Sequence, residues 1–554
     1  MLAAAAIWRL TSGVRHSYSF PPTEQLPLPK RNGSKRIVVM AVSAVALFLM
    51  FAIFSATEWP GLHWDAWLYS PAVINVASSN VWTSGIHAVS AERLASGRHD
   101  FHGYLSIVVF GALLRCSTWP EFVRILLISN GVTASLWFLT AAAARRKCGA
   151  GGLVVPLLTG IMAGVIAVGL QGRPEHPAVF ITAIPVLIWA CSDSVLLQLL
   201  GAAITSGLCC VTSPQAGMLS SIGIAVLTAF RSGSHRIHLF RFAATGVGAL
   251  LTAVLFTTLF APFTFFEWFS NVRSFSGVAL DYSKVLFRFD FESLMGLSMV
   301  APFWNIIVLF HGAVIFCCLL RLRRWMSAIW MTAAAWFLLP LLADYGYSFA
   351  FPCLLTIMTP LQTRLGLFSD LPAVPVWYRR FQVSVLLMYV LAWVQFAGEA
   401  WAVYRSGRSI SACHQQLQSF LQETAGPPAR IGEIGLLHHW SCSIVVLGDA
   451  SHRYIYLAPS YDNHSWLQRD RDFFSLTGGP PEYLIHLPEN AAPPEVFHFE
   501  NTIFDRIMLS GPTIDKPPFV LKRRRIGHEF AVYKKRHPDH PVKSDMSDPV
   551  PKQP

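Results

Sequence analysis

Charged residues are scarce in this chain. Of its 554 residues only 13% are charged and 53% are hydrophobic, whereas soluble globular proteins carry roughly 25% charged residues. The mean hydropathy is +0.45. These values exclude a soluble enzyme, a disordered chain and a fibrous repeat. Several apolar runs of about 18 residues or more instead indicate a polytopic α-helical membrane protein.

Patterns typical of several other protein classes are also missing. The chain lacks the alternating segments of a membrane β-barrel and shows no internal repeat. Its 10 cysteines include no Cys-x-x-Cys pair and show no metal-ligand spacing. The net charge of +12 is dispersed over short loops and the C-terminal tail. It therefore favours a positive-inside topology and contact with membrane lipids, with no nucleic-acid partner.

Apolar and polar stretches divide the chain into successive regions. A basic N-terminal segment is expected in the cytoplasm. A transmembrane module of about 10–12 membrane helices follows with a long first external loop. An α/β domain outside the membrane comes next, and then a disordered tail rich in Pro and charge. The predicted bounds are 1–36 for the N-terminal segment, 37–400 for the module, 57–103 for its external loop, 401–536 for the domain and 537–554 for the tail.

The segment at 104–117 leaves the number of membrane crossings open. If both 104–117 and 121–143 span the membrane, the basic triplet at 145–147 falls on the external side. That placement conflicts with the positive-inside rule. The segment at 104–117 is short and carries Arg115 near its end, so a re-entrant or half-buried segment is the alternative.

The C-terminal domain is predicted to combine short strands with one helix. Short runs rich in β-branched and aromatic residues, bounded by turn residues, are typical of strands. The predicted strands are 431–435, 443–447, 454–457, 483–487 and 529–533, and the predicted helix is 414–424.

The first candidate cluster lies in the external loop, just beyond the first apolar run. Asp65 and Tyr69 stand there among Trp residues. An aromatic belt at the membrane–water boundary accounts for the Trp residues but not for the acid. A carboxylate in this place is suited to general-base catalysis, and an ordinary surface acid is the alternative. A divalent cation is also left open, because the same loop holds further His and Asp residues, namely His63, His99, Asp100 and His102.

The second candidate cluster contains Arg173 and Glu175 between the apolar runs 152–170 and 177–191. Charged groups at such a point are costly unless they face water or a partner. A guanidinium is suited to a phosphate because it offers a fork of donors. The alternative is a local Arg173–Glu175 ion pair that holds an ordinary loop.

Taken in chain order, these features resemble the integral-membrane GT-C glycosyltransferases, which include protein mannosyltransferase-like and aminoarabinose transferase-like enzymes. Asp65 and Tyr69 match the family's Asp-x-x-x-Tyr arrangement, and residues 94–97 are similar to its Leu-Ala-x-Gly run. Residues 99–105 occupy the place of its His-Pro-Pro-Leu element but lack the two prolines, and residues 121–124 resemble its acidic-x-x-Arg opening.

The resemblance implies a sugar transfer at the external face of a bacterial inner membrane. The donor would be a polyprenyl-phosphate sugar and the acceptor a glycan, a lipid or a protein, with no required cofactor. Asp65 would act as the catalytic base. The implied substrate-binding residues are Tyr69, His102, Arg173, Glu175 and Arg273.

Two other classes of function remain as alternatives. A lipid or solute transporter or flippase would be expected to show inverted repeats and broken helices, neither of which is clear here. A non-catalytic membrane assembly subunit would be expected to lack acids in its loops, and Asp65 is present.

Overall fold

The computed structural model describes a set of helices in the first half of the chain and a small sheet near its end. The residues that it describes are 33–52, 72–73, 76–77, 103–117, 119–147, 153–170, 173–213, 217, 220–221, 224, 235–279, 416, 419–420, 423–424, 430–435, 453–456, 480–487, 493–499, 502–510 and 530–536. The predicted tail at 537–554 and the predicted strand at 443–447 lie outside them.

The described helices are mostly apolar. In chain order they are α1 Gly33–Ala52, α2 Leu105–Arg115, α3 Trp119–Lys147, α4 Val154–Gly169, α5 His176–Ile181, α6 Ala183–Cys191, α7 Val195–Thr212, α8 His235–Phe260 and α9 Phe265–Ala279. Within the described part of the chain, three segments are long and apolar enough to cross a membrane, and they are Arg124–Lys147, Val195–Thr212 and Phe240–Phe260. Shorter apolar helices at Ile37–Ala52, Leu105–Arg115, Val155–Gly164 and His176–Cys191 accompany them.

The first helices pack closely through small residues. Helix α1 runs antiparallel to α3, because the Ser135 hydroxyl donates to the Ala44 carbonyl at 2.8 Å and Gly131 faces Phe48. Helix α4 runs parallel to α1, since Gly160 meets Leu47 and Gly164 meets Phe51. Close approach at glycines is typical of helix packing in membranes.

Helices α5 and α6 run in the same direction as α3. The Trp137 Nε1 donates to the Val179 carbonyl at 2.7 Å, and ten residues further along α3 the Lys147 ammonium donates to the Trp189 carbonyl at 2.6 Å. Pro185 separates the two short helices, because its ring removes a donor and crowds the preceding turn. Lys147 also pairs with Asp193 at 3.0 Å, just before α7 begins.

Helices α7 and α8 pack parallel to each other. Gly248 faces Ala203, and Gly207 faces Ala249 and Thr252. Because the two helices are parallel, α7 ends and α8 begins at opposite ends of the bundle. The chain must therefore return along the bundle between Thr212 and His235. Between these two helices, the described residues at 217, 220, 221 and 224 are helical.

Helix α2 covers most of segment 104–117, whose membrane crossing the sequence leaves open. Its 11 residues reach about 16 Å, well short of the ~30 Å hydrocarbon core. Gly103 meets Thr212 at the end of α7, and Phe110 contacts Phe122 near the start of α3. Helix α2 therefore lies across one end of the bundle, in agreement with the half-buried alternative. We call this the α2 end, and the opposite end, which contains Lys147, the Lys147 end.

The C-terminal strands form one mixed sheet of six strands. They are β1 Arg430–Gly435, β2 Arg453–Tyr456, β3 Tyr483–Leu487, β4 Val496–Phe499, β5 Thr502–Ser510 and β6 Phe530–Lys535, in the order β2-β1-β3-β6-β5-β4. Strand β1 pairs in parallel with β2 and β3, and the remaining pairs are antiparallel. Four of the predicted strands are confirmed, whereas β4 and β5 were missed.

Candidate functional site

The turn between α4 and α5 carries a buried ion pair. The Arg173 Nε donates to the Glu175 Oε2 at 2.9 Å, and the two side chains are 4% and 3% exposed. The structure thus brings together two residues that the sequence predicted for one site. Their contact is the local ion pair that the sequence analysis gave as the alternative to a phosphate contact.

Backbone hydrogen bonds fix the shape of this turn. The Arg173 amide donates to the Leu170 carbonyl at 2.9 Å, and the His176 amide donates to the Arg173 carbonyl at 3.1 Å. Pro177 lies in the first turn of α5, where its missing donor and fixed φ are tolerated. The charged side chains are therefore held on a short connection between two apolar helices.

Burial makes this pair electrostatically important. Removing two charges from water costs several kcal/mol for each ion, and their attraction offsets that cost only when the geometry is good. The 2.9 Å contact between Arg173 and Glu175 satisfies this condition. A pair of this kind either holds the turn or keeps a guanidinium oriented at the bundle end for a ligand.

A second polar contact joins the turn to α3. The His176 Nε2 lies 2.8 Å from the Asn130 Oδ1, and both residues are buried. The His176 ring also lies 6.3 Å from the Phe110 ring on α2. Sequence reasoning did not select Asn130 or His176 for the site. The available signal was a carboxamide inside an otherwise apolar run of α3.

Aromatic residues pack around Tyr104 at the same end of the bundle. The Tyr104 hydroxyl hydrogen-bonds to the Thr257 hydroxyl near the end of α8. The Tyr104 ring makes edge contacts with Phe263 at 5.5 Å and Trp268 at 5.3 Å. Its neighbour Gly103 lies so close to the Thr212 carbonyl that no Cβ fits there. These contacts hold the start of α2 against the ends of α7 and α8.

A middle segment of the predicted external loop, at residues 72–77, is fastened to α2 as well. Ala72 and Val73 are buried in the same apolar cluster as Tyr104. At the other end of α2, Arg115 donates to the Val76 carbonyl at 2.9 Å and to the Ala77 carbonyl at 3.2 Å. This fastened segment begins seven residues after Asp65 in the sequence.

Several predicted site residues cannot be placed. Asp65, Tyr69 and His102 lie outside the described residues, and so do the other candidate cation ligands of the external loop. Arg273 belongs to helix α9, and its side chain lies outside the described set. Among the described residues, no group of His, Cys, Asp and Glu is arranged to hold a metal ion.

The described residues therefore offer a limited set of chemical groups. They include a buried cation–carboxylate pair, a neighbouring imidazole and an aromatic cluster at the α2 end of an apolar bundle. Arg173 engages the carboxylate and Asn130 engages the imidazole, and the predicted external loop contains Asp65, the acid predicted to be the general base. Comparison with known protein families finds no family model that matches this chain, and comparison with curated proteins finds no matching sequence.

Proposed function

We propose that the chain is an integral-membrane glycosyltransferase of the GT-C type, which moves a sugar from a polyprenyl-phosphate donor to an acceptor. The ordered resemblance of the external loop supports this proposal. One structural observation carries it further. The buried Arg173–Glu175 turn lies at the α2 end, and a segment that begins seven residues after Asp65 in the sequence is fastened to α2 there.

The chemistry of transfer fits this arrangement. The lipid phosphate is the leaving group, so it requires a cation that stabilises the developing charge. Arg173 has that role in the proposal, with Glu175 keeping its guanidinium oriented. The acceptor hydroxyl loses a proton as it attacks the anomeric carbon, and Asp65 takes this proton as the general base. Tyr69, His102 and Arg273 contact the substrates.

An apolar groove supports a lipid-linked donor. It lies between α2 and α8 and has a volume of about 420 Å³. Apolar side chains and Cys116 line it, among them Leu105, Val109, Ala112, Phe256 and Phe260. A hydrocarbon chain suits such a groove because it makes no demand for hydrogen-bond partners. In the proposal, the polyprenyl tail lies here and its phosphate extends towards the Arg173 turn.

The location follows from the positive-inside rule. The Lys147 end contains Arg145, Arg146 and Lys147, and it also contains the start of α1 after the basic N-terminal segment. We therefore assign the Lys147 end to the cytoplasm and the α2 end to the outside of a bacterial inner membrane. The complete module has about 10–12 spans in this proposal, with the C-terminal sheet domain on the external side. No cofactor is required, and a divalent cation stays open.

Release of the carrier lipid tests the activity directly. Purified full-length protein would be incubated in detergent with polyprenyl-phosphate sugars and a mixture of candidate acceptors. The proposal predicts enzyme-dependent release of polyprenyl phosphate, detected by mass spectrometry. A transporter or an assembly subunit would leave every donor intact, and that result with a folded protein would refute the proposal.

A further inference from the structure

Helix α9 has an exposed aromatic flank. Phe266 and Phe269 are 79% and 55% exposed. On the other side of the helix, Trp268 and Val272 are buried, and Trp268 packs against Tyr104. Successive residues of a helix are rotated by about 100°, so Phe269 and Phe266 extend the apolar face beyond the part that the protein covers. Glu267 and Asn271 occupy the opposite, polar flank.

The position of α9 along the bundle is fixed by α8. The apolar span Phe240–Phe260 contains 21 residues, which corresponds to about 31 Å of helix and matches the ~30 Å hydrocarbon core. Its end at Phe260 therefore coincides with the boundary of that core. Helix α9 begins at Phe265, so the chain has only four residues in which to leave that level.

The start of α9 is locally specified by a capping box. The Thr264 amide donates to the Glu267 carboxylate at 2.7 Å, and the Glu267 amide donates to the Thr264 hydroxyl at 3.2 Å. This reciprocal pair satisfies two donors that would otherwise lack partners at the helix start. The helix is thus stopped and restarted at the boundary, and its direction no longer has to follow that of α8.

We infer that α9 lies in the membrane interface and that Phe266 and Phe269 insert into the lipid of the leaflet at the α2 end. The exposed flank continues the exposed apolar surface of α8, where Leu255, Leu259 and Phe260 are 60%, 64% and 51% exposed. An interfacial helix buries its apolar face about 5–10 Å into the boundary of headgroups and acyl chains. The polar flank with Glu267 and Asn271 then faces water.

Site-specific photo-cross-linking tests this placement. The photoreactive residue p-benzoylphenylalanine would replace Phe266 or Phe269 in the full chain, reconstituted in vesicles of palmitoyl-oleoyl phosphatidylcholine. The matched control carries the same residue at Asn271, which is partly exposed on the polar flank. We expect lipid adducts at positions 266 and 269 to exceed those at 271 several-fold in intact-protein mass spectra.

Three outcomes would overturn the inference. They are equal adducts at all three positions, cross-links from 266 and 269 to another segment of this chain, and cross-links to a second copy. If the bulky photoreactive residue prevents folding, Phe269→Trp and Asn271→Trp provide a second measurement with brominated lipids. Only Phe269→Trp should add quenchable fluorescence to that of the unchanged chain, and equal quenching of the two variants would also overturn the inference. Both readouts are independent of sugar transfer.

Discussion

At the residue scale, the buried pair of Arg173 and Glu175 makes the most definite claim about energy. Removing one partner leaves an uncompensated buried charge, which costs about 3–5 kcal/mol. We expect Arg173→Ala and Glu175→Ala to lower the free energy of unfolding by similar amounts, and the double variant to lose less than the sum. Denaturant unfolding of the purified protein in detergent measures this. Strict additivity would show that the 2.9 Å contact contributes nothing.

The same variants separate the two roles of Arg173. If its guanidinium binds a lipid phosphate, polyprenyl phosphate should stabilise the unchanged chain and Glu175→Ala but fail to stabilise Arg173→Ala. Arg173→Lys should recover only part of the effect, because an ammonium offers a point charge instead of a fork. Equal stabilisation of all these variants would leave Arg173 with a purely structural role.

His486 predicts a pH dependence for the C-terminal sheet. Burial lowers the pKa of His486 to about 4, and its ring packs 4.4 Å from Phe497. The unfolded chain, with a pKa near 6.5, therefore takes up the proton first. The sheet should be fully stable above that pH and lose stability as the pH falls from about 6.5 towards 4.

The measurement is the unfolding temperature of the sheet domain, followed in the full chain between pH 7 and pH 5. His486→Phe keeps the ring contact but removes the titration, so its pH dependence over this range should be weaker. His498→Gln changes the exposed histidine next to Phe497 on β4 and serves as the control. An unchanged profile in His486→Phe would contradict the assignment. Asp505 does not interfere, since Arg536 lowers the pKa of its carboxyl and its contribution is lost only at still lower pH.

At the element scale, hydrophobic pattern predicted most helices but not their arrangement. Run length identified α3, α7 and α8, while the orientation of α2 depended on contacts with Phe122 and Thr212 that no local pattern contains. Strand β5 escaped prediction because a register shift between Arg506 and Met508 breaks its alternation. The sequence analysis named Arg173 and Glu175 together because the two residues lie close in the sequence. It did not name Asn130, because the contact of Asn130 with His176 joins helices that are distant in the sequence.

Two glycines of the helix bundle test its close packing. A Cβ on Gly207 would meet the Ala249 carbonyl at 2.6 Å and the Thr252 side chain at 2.5 Å, whereas nothing lies within 4 Å of a Cβ on Gly246. Gly207→Ala should therefore destabilise the protein by about 1–3 kcal/mol through overpacking. Gly246→Ala should be neutral or stabilising by up to about 1 kcal/mol, since alanine favours helices. Thermal unfolding in detergent compares the two, and equal effects would contradict the packing of α7 on α8.

At the scale of the whole molecule, the described helices predict a definite topology. Helix α2 lies across one end of the bundle and adds no crossing. The basic end of α3 therefore falls on the same side as the N-terminus, as the positive-inside rule requires. We propose the opposite side for the C-terminal domain.

Chemical labelling of engineered cysteines tests this topology. A membrane-impermeant maleimide should modify Asp470→Cys on intact cells, and it should modify Ser234→Cys only after lysis. The unchanged chain corrects for native thiols. Labelling of position 470 only after lysis would place the C-terminal domain in the cytoplasm. The domain would then lie on the opposite side of the membrane from the proposed site of sugar transfer.

The central claim is that the chain transfers sugar and that Asp65 is its general base. The most direct measurement compares polyprenyl phosphate release by the unchanged protein and by Asp65→Asn, with matched folding verified by thermal unfolding. The substitution is nearly isosteric but removes the proton-accepting charge, and loss of a general base typically slows a reaction by ~10²–10⁴-fold. We predict a decrease of that order with an unchanged unfolding temperature. Turnover by Asp65→Asn close to that of the unchanged protein would contradict the account.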